Sequence, residues 1–129
     1  MISHLRFVVF ISVGVLLGAC KEVSAPEVTL DSFEEKGLSI SYTATASYDG
    51  DENLGERGIC WSSESEFPTT HDNYLSADGY GAGSFFGDVE GLEAHTTYYF
   101  RAFIVGETGV NYSAVYQMDI GKAWREVQY

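Results

Sequence analysis

The chain has 129 residues, enough for one compact domain once an N-terminal leader is set aside, and too few for a second core. Its seven Lys and Arg stand against 19 Asp and Glu, a formal charge of −12, which sets it against nucleic acid and anionic headgroups because phosphate repulsion opposes counterion-driven binding. Nine Tyr, eight Phe, two Trp and 14 Gly with only two Pro suit a sheet protein with tight turns better than a helical bundle.

Residues 1–19 open with His4 and Arg6, continue as an apolar run from Phe7 to Leu17 broken only by Ser12 and Gly14, and end in Leu17-Gly18-Ala19-Cys20. As a helix that run would reach only about 16 Å, short of the ~30 Å hydrocarbon core, so it reads as an export signal and not a span. The motif resembles the lipobox of bacterial lipoprotein precursors. The resemblance implies cleavage before Cys20 and acylation of its thiol, with small Gly18 and Ala19 letting the backbone enter the peptidase. An ordinary signal peptide that happens to have a Cys after its cleavage site, or an uncleaved anchor, are the competing readings. Processing would remove Arg6 and leave a charge of about −13. Residues 20–26 are then the lipidated Cys and a short tether. Two or three acyl chains hold a protein firmly, since each buried methylene contributes ~0.8 kcal/mol. Some surface lipoproteins carry an acidic patch directly after the lipidated Cys. Here Glu22 alone fits it, so the expected location is the outer membrane or cell surface of a double-membraned bacterium.

The folded part is expected over residues 27–120. From Leu38 to Tyr48 the chain alternates, with Leu38, Ile40, Tyr42, Ala44, Ala46 and Tyr48 on one side and Ser or Thr on the other, the pattern of a strand with one face on a core. Asp49 to Gly55 is a turn-rich break, and Glu56 to Ser62 reads as an internal strand. Ser63 to Gly83, with Pro68 and a Gly-rich end, reads as a long irregular loop. Phe85, Gly87 and Val89 alternate with polar neighbours as a short strand ending at Gly91. Tyr98, Phe100, Ala102 and Ile104 share one side of the next strand. Its other side, Tyr99, Arg101, Phe103 and Val105, is more apolar than an exposed sheet face tolerates, so either a neighbour or a loop must cover it. A last strand is predicted from Val110 to Ile120, with Tyr112, Ala114, Tyr116 and Met118 on one side.

Between these last strands, Gly91-Leu92-Glu93-Ala94-His95-Thr96-Thr97-Tyr98 resembles the corner of a fibronectin type III-like domain: Leu92, Thr96 and Tyr98 match, and Ala94 stands where Pro is usual. Together with Gly58-Ile59-Cys60-Trp61-Ser62 and Gly109-Val110-Asn111-Tyr112-Ser113, it resembles the modules of bacterial surface lipoproteins. The resemblance implies an all-β, immunoglobulin-like (fibronectin type III-like) sandwich of about seven strands, with Leu92 plugging the core and the Tyr98 hydroxyl bonding back to the backbone. It brings no catalytic residues. Residues 121–129 form a tail with Trp124 that fits either the start of a further domain or a segment folded over the sandwich end.

Little in the chain points to chemistry. If Cys20 is lipidated, Cys60 has no disulfide partner, and its apolar surroundings make it a small buried hydrophobe. Asp49, Asp51 and Asn53 begin like a calcium loop, but Leu54 and Cys60 occupy the positions that need Gly and a bidentate Glu, so they are weak metal candidates. His71 and His95 have no metal spacing, and no nucleophile motif or cofactor fingerprint is visible, so no enzyme, cofactor or catalytic residue is expected. Phe67, Tyr74 and Tyr80 are the candidate contacts for a protein or glycan ligand, with loop packing as the alternative role. The expectation is a non-enzymatic, membrane-anchored interaction or spacer module, with a glycan-binding accessory lipoprotein of a polysaccharide-uptake system or a filament subunit as alternatives.

Overall fold

The computed structural model describes residues 25–48, 50 and 53–121, in which all regular structure is strand. In chain order these are β1 (Glu27–Lys36), β2 (Ser39–Ser47), β3 (Arg57–Ser62), β4 (Asn73–Ser76), β5 (Gly83–Val89), β6 (Thr96–Gly106), β7 (Gly109–Tyr112) and β8 (Tyr116–Ile120). A three-stranded antiparallel sheet, β1-β2-β5, faces a five-stranded one in the order β4-β3-β6-β7, with β8 also paired to β6. This is an all-β, immunoglobulin-like sandwich.

Alternation builds the core. Ile40, Tyr42, Ala44 and Ala46 of β2 point inward with Phe85 and Val89 of β5. They meet Ile59 of β3 and Tyr98, Phe100, Ala102 and Ile104 of β6. On the outer side of β2 the hydroxyls are used laterally: Ser32 and Thr43 lie 2.7 Å apart, Ser41 donates to Asp88 at 2.6 Å, and Thr45 donates to Asp31 at 2.5 Å. The Thr45 and Thr29 hydroxyls hold the Asp31 carboxyl below its ordinary pKa.

Several sequence expectations are corrected. Leu38 lies exposed in the β1–β2 turn instead of facing the core. The whole of β1 escapes a search for alternation because its register shifts between Leu30 and Ser32. Val28 and Leu30 point inward before the bulge, and Phe33 packs on the core after it. Part of the long loop is in fact β4, four exposed residues on the edge of the larger sheet.

The predicted strand from Val110 to Ile120 is two strands with one extra residue between them. Phe103 pairs with Tyr112, but Phe100 pairs with Tyr116. Tyr112 therefore lies on the outer face with Phe103, and Tyr116 and Met118 lie on the inner side with Phe100 and Tyr98. Ser113 fills the break: its amide donates to the Ala102 carbonyl at 2.9 Å, and its hydroxyl accepts from the Ala102 amide at 2.9 Å.

The corner is well bonded. Leu92 is buried, and its amide donates to the Leu38 carbonyl at 3.0 Å. The Tyr98 hydroxyl accepts from the Glu93 amide at 3.0 Å, and the Thr96 hydroxyl donates to the Ala94 carbonyl at 3.1 Å. His95 takes φ +57°, a left-handed turn unusual for a non-glycine residue.

The two ends of the sandwich differ. Glu27, where β1 starts, pairs with Ser47 at the end that also holds residues 53–56, the β4–β5 loop and the β6–β7 hairpin. Gly55 donates there to Val105 at 2.8 Å, and Gly81 donates to Gly55 at 3.0 Å. Ile120, where β8 stops, lies at the opposite end, its carbonyl accepting from His95 at 2.7 Å, while the Gly121 amide donates to Glu35 at 2.7 Å.

Candidate functional site

The outer face of the five-stranded sheet holds the most chemistry-bearing side chains. Register sets Tyr74, Cys60 and Arg101 in one row across β4, β3 and β6, and Gly58, Phe103 and Tyr112 in the next across β3, β6 and β7. Gly58 is required by close approach: a Cβ there would lie 2.1 Å from the Leu75 carbonyl oxygen.

Of the two covers that the sequence left open for this face, a loop is the one present. Residues 63–72 fold back over it, starting from Ser62, whose hydroxyl accepts from the Glu64 and Ser65 amides at 3.0 Å each. Pro68 is buried, and its carbonyl accepts from the Cys60 thiol at 3.6 Å and from Arg101 Nε at 2.9 Å. The Tyr112 hydroxyl accepts from the Thr70 amide at 3.1 Å. Phe103 is fully buried beneath this cover, with the Tyr74 ring edge-on at 5.8 Å.

Cys60 is a free, buried thiol. Burial pushes its pKa from the usual 9.0 up to about 12, although Arg101 pulls the other way. Tyr42, buried near Asp88, is likewise raised from 10.0 to about 12. In both cases the fold favours the neutral form. The resulting stability is fully present below pH 9 and is lost as pH rises towards 12. Urea unfolding at pH 8 and pH 11 is expected to give a clearly lower midpoint at the higher pH. Equal midpoints would show that neither group is buried as described.

Of the three ligand-contact candidates, the fold brings two together. Phe67, 65% exposed, and Tyr74, 45% exposed, belong to the covered outer face. Tyr80, 78% exposed, sits elsewhere, on the β4–β5 loop at the end where β1 starts, and makes no ring contact among the described residues. Arg57 fixes that loop by donating to the carbonyls of Asp78 at 3.0 Å, Gly81 at 3.0 Å and Ala82 at 3.3 Å, and Gly79 and Gly81 on either side of Tyr80 take positive φ. Tyr80 is thus a displayed ring on a braced loop.

Arg101 and Tyr112 complete the outer-face site and were not singled out from sequence. The Arg101 guanidinium lies 4.2 Å from the Tyr112 ring centroid and 6.0 Å from that of Phe67. Alternation put Tyr112 on one side with Tyr116 and Met118, because it cannot register the extra residue between β7 and β8. The only signal for Arg101 was its place among apolar residues on that same face.

The remaining candidates stay apart from this face. Leu92, Thr96 and Tyr98 form the corner already described. The Asn53 amide donates to Glu107 at 3.2 Å, while Asp49 and Asp51 lie outside the described residues, as do Cys20 and the tail from Lys122. Among the described residues no three His, Cys, Asp or Glu side chains come together as a metal site.

No family model matches the chain, and no curated protein matches it. Among solved structures it is similar to a myokine structure, at 16% identity and a TM-score of 0.44, covering 77% of this chain and 98% of that one. It is also similar to the sensor domain of the anti-sigma factor RsgI4 of Pseudobacteroides cellulosolvens, at 14% identity and a TM-score of 0.49, covering 74% of this chain and 75% of that one. Neither assigns a residue or an activity here.

Proposed function

We propose that the chain is a bacterial lipoprotein, anchored through Cys20 to the outer membrane or cell surface, whose fibronectin type III-like sandwich is a non-enzymatic interaction or spacer module. The observation that carries this reading is the opposite placement of the strand ends. β1 starts at Glu27 on one end and β8 stops at Ile120 on the other, so a module held at its N-terminus projects its far end away from the anchor. The Leu17-Gly18-Ala19-Cys20 motif supports the anchor, and residues 21–26 can span roughly 20 Å at most, which keeps the Glu27 end near the membrane. The bond from the Glu93 amide to the Tyr98 hydroxyl supports the fibronectin type III-like assignment.

A second reading, a glycan-binding accessory lipoprotein, is favoured by one observation: Phe67 beside Arg101, and Tyr74 in the same row beyond Cys60, remain partly open on a face that points sideways from the anchor axis.

Fractionation of cells expressing wild type and Cys20→Ser tests the anchor. Wild type is expected in the membrane fraction and the variant in the soluble fraction. Equal membrane association of the two would overturn the proposal.

A further inference from the structure

We propose that Arg101, held between Tyr112 and Phe67, is the recognition cation of a binding site for an acidic sugar, a pyranose bearing a carboxylate within a polysaccharide. This rests on the interaction-module reading and gives that module a ligand class.

The argument begins with charge. In a chain with 19 acids and seven Lys and Arg, a guanidinium would ordinarily find a carboxylate. Among the described residues Arg101 does not. Its one hydrogen bond there is from Nε to the Pro68 carbonyl at 2.9 Å, which leaves the N–H groups of both terminal nitrogens without a partner among the described residues. Those nitrogens are also not sealed off: the one buried, unpartnered side-chain nitrogen or oxygen among the described residues is Arg57 Nε.

The second element is preorganisation. The bond to Pro68 and the Tyr112 ring at 4.2 Å fix the guanidinium plane, and Tyr112 is itself anchored by the Thr70 amide at 3.1 Å. A planar fork held in one orientation presents parallel N–H groups to a carboxylate at little entropic cost. The third is shape. Phe67 offers a partly exposed ring beside the fork, and Tyr74, partly exposed, lies two strands along the same row beyond Cys60, surfaces for the apolar C–H side of a sugar ring.

Glu64, Glu66 and Asp72 on the covering loop limit the site to a ligand of low charge density, which favours one carboxylate per sugar over a sulfated polymer.

The test is calorimetric titration of the mature lipoprotein in detergent with trigalacturonate, maltotriose and hexaglutamate, using wild type, Arg101→Gln, Arg101→Lys and Phe67→Ala, with Tm recorded for each. Wild type is expected to bind trigalacturonate in preference to the other two. Arg101→Gln should weaken this about tenfold or more, Arg101→Lys should recover only part of the loss, and Phe67→Ala should weaken it several-fold. If Arg101→Gln fails to fold, Phe67→Ala alone decides, because its side chain is exposed.

Equal trigalacturonate affinity in wild type and a folded Arg101→Gln would overturn the proposal. Binding of maltotriose unaffected by Arg101→Gln would overturn it and leave the glycan-binding reading standing. Preference for hexaglutamate would replace the sugar with an acidic peptide and overturn it. Binding of none of the three would overturn it and leave the spacer reading, which the Cys20→Ser fractionation tests separately.

Discussion

Phe100→Ala is expected to cost about 3–5 kcal/mol of unfolding free energy, the range for truncating a fully buried Phe. The ring is wholly inaccessible, on the inner face of β6, 4.7 Å from Phe33 of β1 and 6.1 Å from Tyr98. It therefore joins the two sheets, and neighbours held by two different ladders cannot collapse far enough to refill its volume. For a domain of this size each kcal/mol lowers Tm by roughly 4–8 °C, so the variant should be near the edge of folding at 37 °C. Phe86→Ala provides the control: Phe86 is 75% exposed on β5, and its loss should stay within about 0.5 kcal/mol. Urea denaturation of both variants checks this, and a Phe100→Ala cost below about 1 kcal/mol would show that the sheets are not joined there.

Phe103→Ala should cost a similar ~3–5 kcal/mol, for a different reason. Phe103 is on the opposite face of β6 and would be open to water in a bare sandwich. The Tyr74 ring lies edge-on to it, and Pro68, buried with its carbonyl on Cys60 and Arg101, closes the neighbouring row. This is a second, smaller apolar layer outside the main core, and its removal takes away what residues 63–72 rest on. Global stability should fall together with faster proteolytic cleavage within residues 63–72 under native conditions, a local change that Phe100→Ala does not share before the whole domain unfolds. Unchanged cleavage of that loop would contradict its role as the cover.

What could be read in advance depended on whether alternation ran unbroken. The β2 stripe from Ile40 to Ala46 and the β6 stripe from Tyr98 to Ile104 keep period two over their length, and both were legible with the correct face inward. β1 was not, because the bulge between Leu30 and Ser32 moves its inward residues from even to odd numbers. The same physics inverted Tyr112 relative to Tyr116 across Ser113. β4 has no pattern to read, since all four of its residues are exposed on an edge. The candidate site was half legible. Phe67 and Tyr74 stood out as loop aromatics, but their grouping with Arg101 depends on strand order and on the Pro68 carbonyl, neither of which has a local signature. Tyr80, similar to them in composition, falls at the other end because Arg57 draws its loop there.

The proposed anchor at Cys20 would fix which end of the sandwich faces the membrane, and with it which surface is free to meet a ligand. Intact mass and N-terminal peptide mass spectrometry of the purified protein test it most directly. The result predicted is a chain beginning at Cys20 and carrying two or three acyl groups. A chain beginning at Met1, or cleaved at another bond with an unmodified Cys20 thiol, would contradict it.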